Sequence, residues 1–139
     1  MIPALAAISR YKNVQVTTCT PGQLLIMLYD GLFRFLSEGR AAIEAKDTGR
    51  AGERINRAHA ILEHLLTSLD RSAHPALCDQ LEPLYYFCMQ HLISANIKQS
   101  TAMIDEVVRV LTPLRDAWKT AVAQVAVESV AAAKACPSR

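Results

Sequence analysis

Two pairs of side chains in this chain have the spacing of metal ligands. His59 and Glu63 stand four apart, and Cys88 and His91 three apart. On a helix either pair presents both donor atoms from one face. A metal centre needs three or four converging donors, and neither pair has partners of matching spacing elsewhere. The Glu-x-x-His signature by which helical bundles hold paired metals does not occur. A solvated His–Glu pair and a part-buried histidine account for the same residues, so neither metal nor cofactor is expected. Nucleophilic chemistry has as little support. The chain lacks a Gly-x-Ser-x-Gly elbow, a phosphate loop and any glycine-rich turn. Cys78 lies beside Asp79 with no base at hand. No catalytic residue can be named, and a protein that is not an enzyme is expected.

The four cysteines, Cys19, Cys78, Cys88 and Cys136, form no Cys-x-x-Cys pair, and each sits in or beside an apolar stretch. They read as free thiols acting as small hydrophobes in a reducing compartment. The N-terminal run Met-Ile-Pro-Ala-Leu-Ala-Ala-Ile-Ser-Arg has no basic start and is broken by proline, which makes a poor secretory signal. The expected location is the cytoplasm. Fifteen basic against thirteen acidic residues leave a charge of +2, with no cluster sized to grip a phosphate backbone, so nucleic acid is not an expected partner. The apolar run Leu24 to Tyr29 falls far short of the roughly 20 residues that cross a bilayer, so membrane insertion is not expected.

With chemistry set aside, the elements remain. The chain has 139 residues, 51% hydrophobic but only 6% aromatic, with five glycines. That balance favours helices of Ala, Leu, Ile and Val in one domain. Thr20 and Gln23 have capping-box spacing, with Pro21 in the first turn. The first helix that follows is apolar on all sides, and Asp30 and Arg34 are spaced to pair on what surface is left. The second carries a heptad seam of Ala51, Ile55, Ala58, Leu62, Leu65 and Leu69. The third repeats it with Leu77, Leu81, Leu84, Cys88, Leu92 and Ala95. Pro83 should bend that helix unless it begins nearer Glu82. Ser100 or Asn96 can cap the fourth, which runs through Ile104, Val107, Leu111, Leu114, Trp118, Ala121 and Val125 with Pro113 as a second candidate kink. The expected fold is all-α, an antiparallel four-helix bundle over 20–135 (helices near 21–46, 50–71, 76–96 and 100–134). Residues 1–19 form an extended or short helical arm, and 136–139 a tail.

Apolar side chains exceed what four seams need. Tyr85, Tyr86 and Phe87 are consecutive and point about 100° apart on a helix, so at least one looks away from the core. Either a broad buried face lets one hydroxyl reach water, or a groove between helices accepts an amphipathic segment of another protein.

The sequence resembles the FliS-type flagellin export chaperones. The resemblance rests first on Tyr11, Val14 and Val16 followed by Thr18-Cys19-Thr20-Pro21-Gly22-Gln23-Leu24-Leu25-Ile26-Met27-Leu28-Tyr29-Asp30-Gly31 and Arg34-Phe35-Leu36. Ser68-Leu69-Asp70, then Leu84-Tyr85 leading into Leu92, Ala95 and Asn96, and Leu114-Arg115-Asp116-Ala117-Trp118 follow in order. Cys19 stands where the family usually has Ala or Ser, Phe87 where it has a second tyrosine, and His91 where it has arginine. The resemblance implies a cytosolic chaperone that binds the disordered C-terminal segment of flagellin. It would prevent premature polymerisation and hold the client competent for the flagellar type III export gate. Tyr85 or Tyr86, with Leu92 and Ile93, would line a groove. Asn96 would pair with an extended peptide backbone or cap a helix end. Leu24 and Tyr29 would belong to the core, the first helix being enclosed by its neighbours and the arm. Ile8, Tyr11, Val14 and Val16 of the arm would cover the empty groove and limit self-association into a homodimer when no client is bound. The rival reading is a generic helical-bundle adaptor for an amphipathic helix of some other protein.

Overall fold

Thr20 Oγ1 accepts the backbone N–H of Gln23 at 3.1 Å, and Gln23 Oε1 accepts that of Thr20 at 2.9 Å. This reciprocal box, with Pro21 as the first helical residue, starts α1 over Pro21–Glu44. Removing the cap with Thr20→Ala should cost about 1 kcal/mol, read as a lower urea midpoint at unchanged slope. The computed structural model describes residues 20–135, with side chains to residue 125. The arm residues Ile8, Tyr11, Val14 and Val16, and the thiols Cys19 and Cys136, lie outside the described residues.

The next helices are α2 (Thr48–Thr67), α3 (Pro75–Lys98) and α4 (Thr101–Ala135). Asp47 caps α2 by accepting the Arg50 N–H at 3.1 Å, and Ser100 caps α4 by accepting that of Met103 at 3.2 Å. Lys46 and Gln99 turn the two tightest links in the left-handed region, at φ 60° and 50°. Glycine usually takes that position; the side chains here cost about 1 kcal/mol each. Among the described residues no helix is long and apolar enough to cross a membrane.

The helices form a ring in which α1 and α3 each pack on α2 and α4. Neighbours run antiparallel. Arg40 near the end of α1 bonds Asp105 near the start of α4 at 2.8 and 3.1 Å, while Asp30 nearer the α1 start meets Lys119 at 3.7 Å. The Arg40 guanidinium holds the Asp105 carboxyl below the usual carboxylate range. The core is apolar except at one level. There Tyr29 of α1 and Tyr85 of α3 meet across the ring, hydroxyl to hydroxyl at 2.6 Å, and the Trp118 indole N–H donates to the Tyr29 oxygen at 3.3 Å. Burial raises both tyrosine hydroxyls above their ordinary pKa. Burial also pushes the Cys88 thiol up to about 12, so it is an inert core group.

Several expectations need correction. The α3 seam is Cys78, Leu81, Tyr85, Cys88, Leu92 and Ala95, so Cys78 and Tyr85 replace Leu77 and Leu84. Both sets fit a heptad, and the long Tyr85 side chain is the one that reaches Tyr29. The alternative start of α3 near Glu82 does not hold: the helix begins at Pro75 and continues through Pro83, as α4 continues through Pro113. Both prolines are exposed, so water can take the carbonyls they leave unpaired. Arg34 does not pair with Asp30; its guanidinium lies 4.9 Å from the Phe35 ring. Val125 is 60% exposed rather than in the seam, because Val122 already lies against Gly22, the second residue of α1, and nothing of α1 lies beyond.

Candidate functional site

An open groove of ≈ 960 Å³ lies between α1 and α2. Its α1 wall is Leu24, Leu28, Gly31 and Phe35, spaced four, three and four, so they form one stripe beside the core stripe of Tyr29, Leu32 and Leu36. Two adjacent stripes explain why the first helix is apolar nearly all round. The α2 wall is Ala60 and Ile61. Gly31 makes the depth: a Cβ there would meet only Ile61 Cδ1, at 3.7 Å. Met27, 41% exposed, overhangs the groove, and Asp30, Arg34, Glu53, Asn56, Arg57 and His64 supply a polar rim.

A second cavity of ≈ 550 Å³ opens at the end of the bundle, where α1 starts, α2 ends and α3 starts. Leu25, Leu65, Leu69, Leu77, Leu81 and Trp118 are among its walls. It shares Leu24, Leu28 and His64 with the groove, so the two run together as one apolar trough. Leu77 is half-exposed because it stands at this mouth. Among the described residues His64 Nδ1, buried at the junction, has no hydrogen-bond partner, and burial lowers the pKa of the ring, favouring the neutral form. Pro21 and Gly22 line the mouth as well.

The five groove residues expected on α3 do not share one surface. Tyr85 and Leu92 are core residues. Tyr86 and Ile93 are 53% and 50% exposed and seven apart, and with Ile97 at 77% they make an outward strip along α3. Asn96 is half-buried beside Gly52 of α2, and its Oδ1 accepts from Gln99 Nε2 at 3.2 Å. It does not cap α4, which Ser100 does. Phe87 faces away from the core too, stacking on His91 with centroids 4.7 Å apart, and His91 bonds Glu106 of α4. Leu24 is half-buried in the groove rather than enclosed in the core, while Tyr29 is fully buried. The α1/α2 groove was missed as a site although its signal was present. The unbroken apolar run 24–29 followed by Gly31 marked an apolar face with a gap in it.

Among the described residues no group of three or more His, Cys, Asp or Glu could hold a metal ion. What the trough offers is a broad apolar floor with a charged rim, which suits an amphipathic helix.

Comparison with known proteins gives a consistent family. A family model described as "Flagellar protein FliS" matches residues 4–125. The chain is 37% identical over 112 residues to the "Flagellar secretion chaperone FliS" of Bacillus subtilis (strain 168), covering 81% of this chain and 83% of that one. It is 30% identical over 119 residues to the protein of the same description from Salmonella typhimurium, covering 82% and 88%. It is 29% identical over 119 residues to the "Flagellar secretion chaperone FliSB" of Pseudomonas aeruginosa, covering 83% and 94%.

Proposed function

The chain belongs to the FliS family of flagellar proteins, and from that premise we propose that it is a flagellar secretion chaperone whose apolar trough holds the C-terminal segment of flagellin. The observation that carries the reading is the ≈ 960 Å³ groove between α1 and α2, apolar on its floor and charged at its rim. A disordered segment that folds on binding must offset several kcal/mol of ordering, and only broad apolar burial supplies that. The client lays a helical piece against Leu24, Leu28, Gly31, Phe35 and Ile61. A second stretch passes over Tyr86 and Ile93 on α3, with Asn96 beside it, while Tyr85 and Leu92 support that strip from beneath. Holding the tail in this way keeps it from polymerising in the cytoplasm and leaves it fit for delivery to the flagellar export gate. No catalytic step is part of this role.

The arm takes its place at the same trough. Residues Ile8, Tyr11, Val14 and Val16 precede a chain that enters the bundle at the mouth of the end cavity. In the free protein they cover the trough and limit self-association, and they leave when the client arrives.

The test is a titration with a flagellin C-terminal peptide of about 40 residues, long enough for two helical pieces of bundle length at 1.5 Å per residue. Binding should come with a gain in helicity and a negative heat-capacity change. The chain lacking residues 1–15 should bind at least as tightly and self-associate more. An absence of binding would sink the reading. Equal binding of an unrelated amphipathic helix would favour a generic adaptor.

A further inference from the structure

One end of the groove carries more positive charge than its neighbours neutralise. Three guanidiniums, those of Arg34, Arg54 and Arg57, lie 4.9, 5.8 and 6.0 Å from the centre of the Phe35 ring. Two carboxylates stand against them. Glu53 meets Arg57 at 2.7 Å and Arg54 at 3.3 Å, and Glu38 meets Arg54 at 3.3 Å. Arg34 has no carboxylate within ion-pair distance among the described residues, and Asp30 one turn away is engaged by Lys119. Stacking on Phe35 holds the Arg34 head at the rim with its donors free, and a guanidinium offers paired N–H groups that match a carboxylate.

We propose that this end of the groove reads an acidic side chain on the client: the docked helix carries an Asp or Glu about one turn from the apolar residue seated over Gly31, and Arg34 and Arg57 receive it above Phe35. Arg34 lies three residues after Gly31 on α1, which sets that spacing for a helix lying along the groove. The inference rests on the reading of the groove as the flagellin-tail site and adds what the apolar floor cannot supply. An apolar trough takes any greasy helix in either direction, whereas a cation at one end fixes direction and register and rejects a helix with Lys or Arg at that place.

The experiment uses the full chain and the same flagellin C-terminal peptide, together with versions in which each Asp or Glu is changed singly to its amide. Neutralising one acidic position should weaken binding about three- to fivefold, the upper part of the range of an exposed ion pair, and flatten the salt dependence. Arg34→Glu should weaken binding of the parent peptide roughly tenfold. A peptide with Lys at the same acidic position should restore it. Arg109→Glu makes the same charge change on the exposed face of α4 and should leave binding unaltered. If the parent peptide binds but no acidic position matters and Arg34→Glu binds like the unmodified chain, the inference is wrong while the groove reading stands. If the parent peptide does not bind at all, both fall.

Discussion

Replacing Gly31 with tryptophan is expected to weaken binding of the flagellin C-terminal peptide by about 100-fold, near 3 kcal/mol, while the bundle stays folded. The asymmetry comes from where the new side chain must go. The space above Gly31 Cα is open except for Ile61 Cδ1 at 3.7 Å, an ordinary contact, so an indole projects into the groove and not into the core. It fills the depth that a client side chain would use. Glycine inside a helix is also unfavourable by several tenths of a kcal/mol against most residues, so the variant should unfold at a similar or higher urea concentration. Calorimetric titration reads the first effect and far-UV circular dichroism with urea unfolding the second. A Gly31→Trp protein that binds as tightly as the original would show that the client sits elsewhere. The strip on α3 would then be the place to look, with Tyr86→Ala and Ile93→Ala as the variants.

The second large effect is expected in the core. Tyr29→Phe should cost about 2–3 kcal/mol, and Tyr85→Phe about 1 kcal/mol. The difference follows from counting protons. Trp118 N–H and one tyrosine hydroxyl proton find acceptors, since Trp118 donates to Tyr29 and one O–H lies between the tyrosines. The other hydroxyl proton has no acceptor among the described residues. Removing the Tyr85 oxygen breaks one bond but leaves the number of unpaired protons unchanged. Removing the Tyr29 oxygen breaks the bond between the hydroxyls and takes the better-aligned acceptor from the Trp118 N–H, which then has only the Tyr85 oxygen within reach, and poorly paired buried polar groups are the costly ones. Urea unfolding midpoints of the two single variants and the double variant measure this. Because the groups share one network, the double variant should lose little more than Tyr29→Phe alone. Equal costs for the two single variants would count against this account.

This polar triad also bears on specificity. It sits where four apolar seams of similar heptad spacing meet and ties α1, α3 and α4 at one level, through residues 29, 85 and 118. A slip of one turn in any of the three helices would bury hydroxyl and indole groups without partners. The network therefore fixes register at a modest cost, as a lone polar residue does in a coiled coil.

Much was legible beforehand. The Thr20–Gln23 box, the helix count, the seam of α2 and the family resemblance all follow from local spacing, because capping and amphipathic periodicity depend on residues within one or two turns of each other. The same logic left α3 uncertain by one residue. Leu77, Leu81, Leu84 and Cys78, Leu81, Tyr85 both repeat in steps of three and four, and only the partner across the ring selects the second set. Asp30 and Arg34 failed for a related reason. Their spacing permits a pair, but Lys119 and Phe35, distant in sequence or on the adjoining face, took one residue each.

What the sequence by itself determined is that this chain makes four amphipathic helices with apolar side chains left over, since both are sums over local composition. Where the surplus lies was decided only by the tertiary structure. Helix α1 has two apolar stripes, and which faces the core depends on how α2 and α4 flank it; α2 presents Ala60 and Ile61 opposite Gly31, so a gap remains instead of a packed seam. Burial is a property of pairs of surfaces, and one strand of text records only one member of each pair.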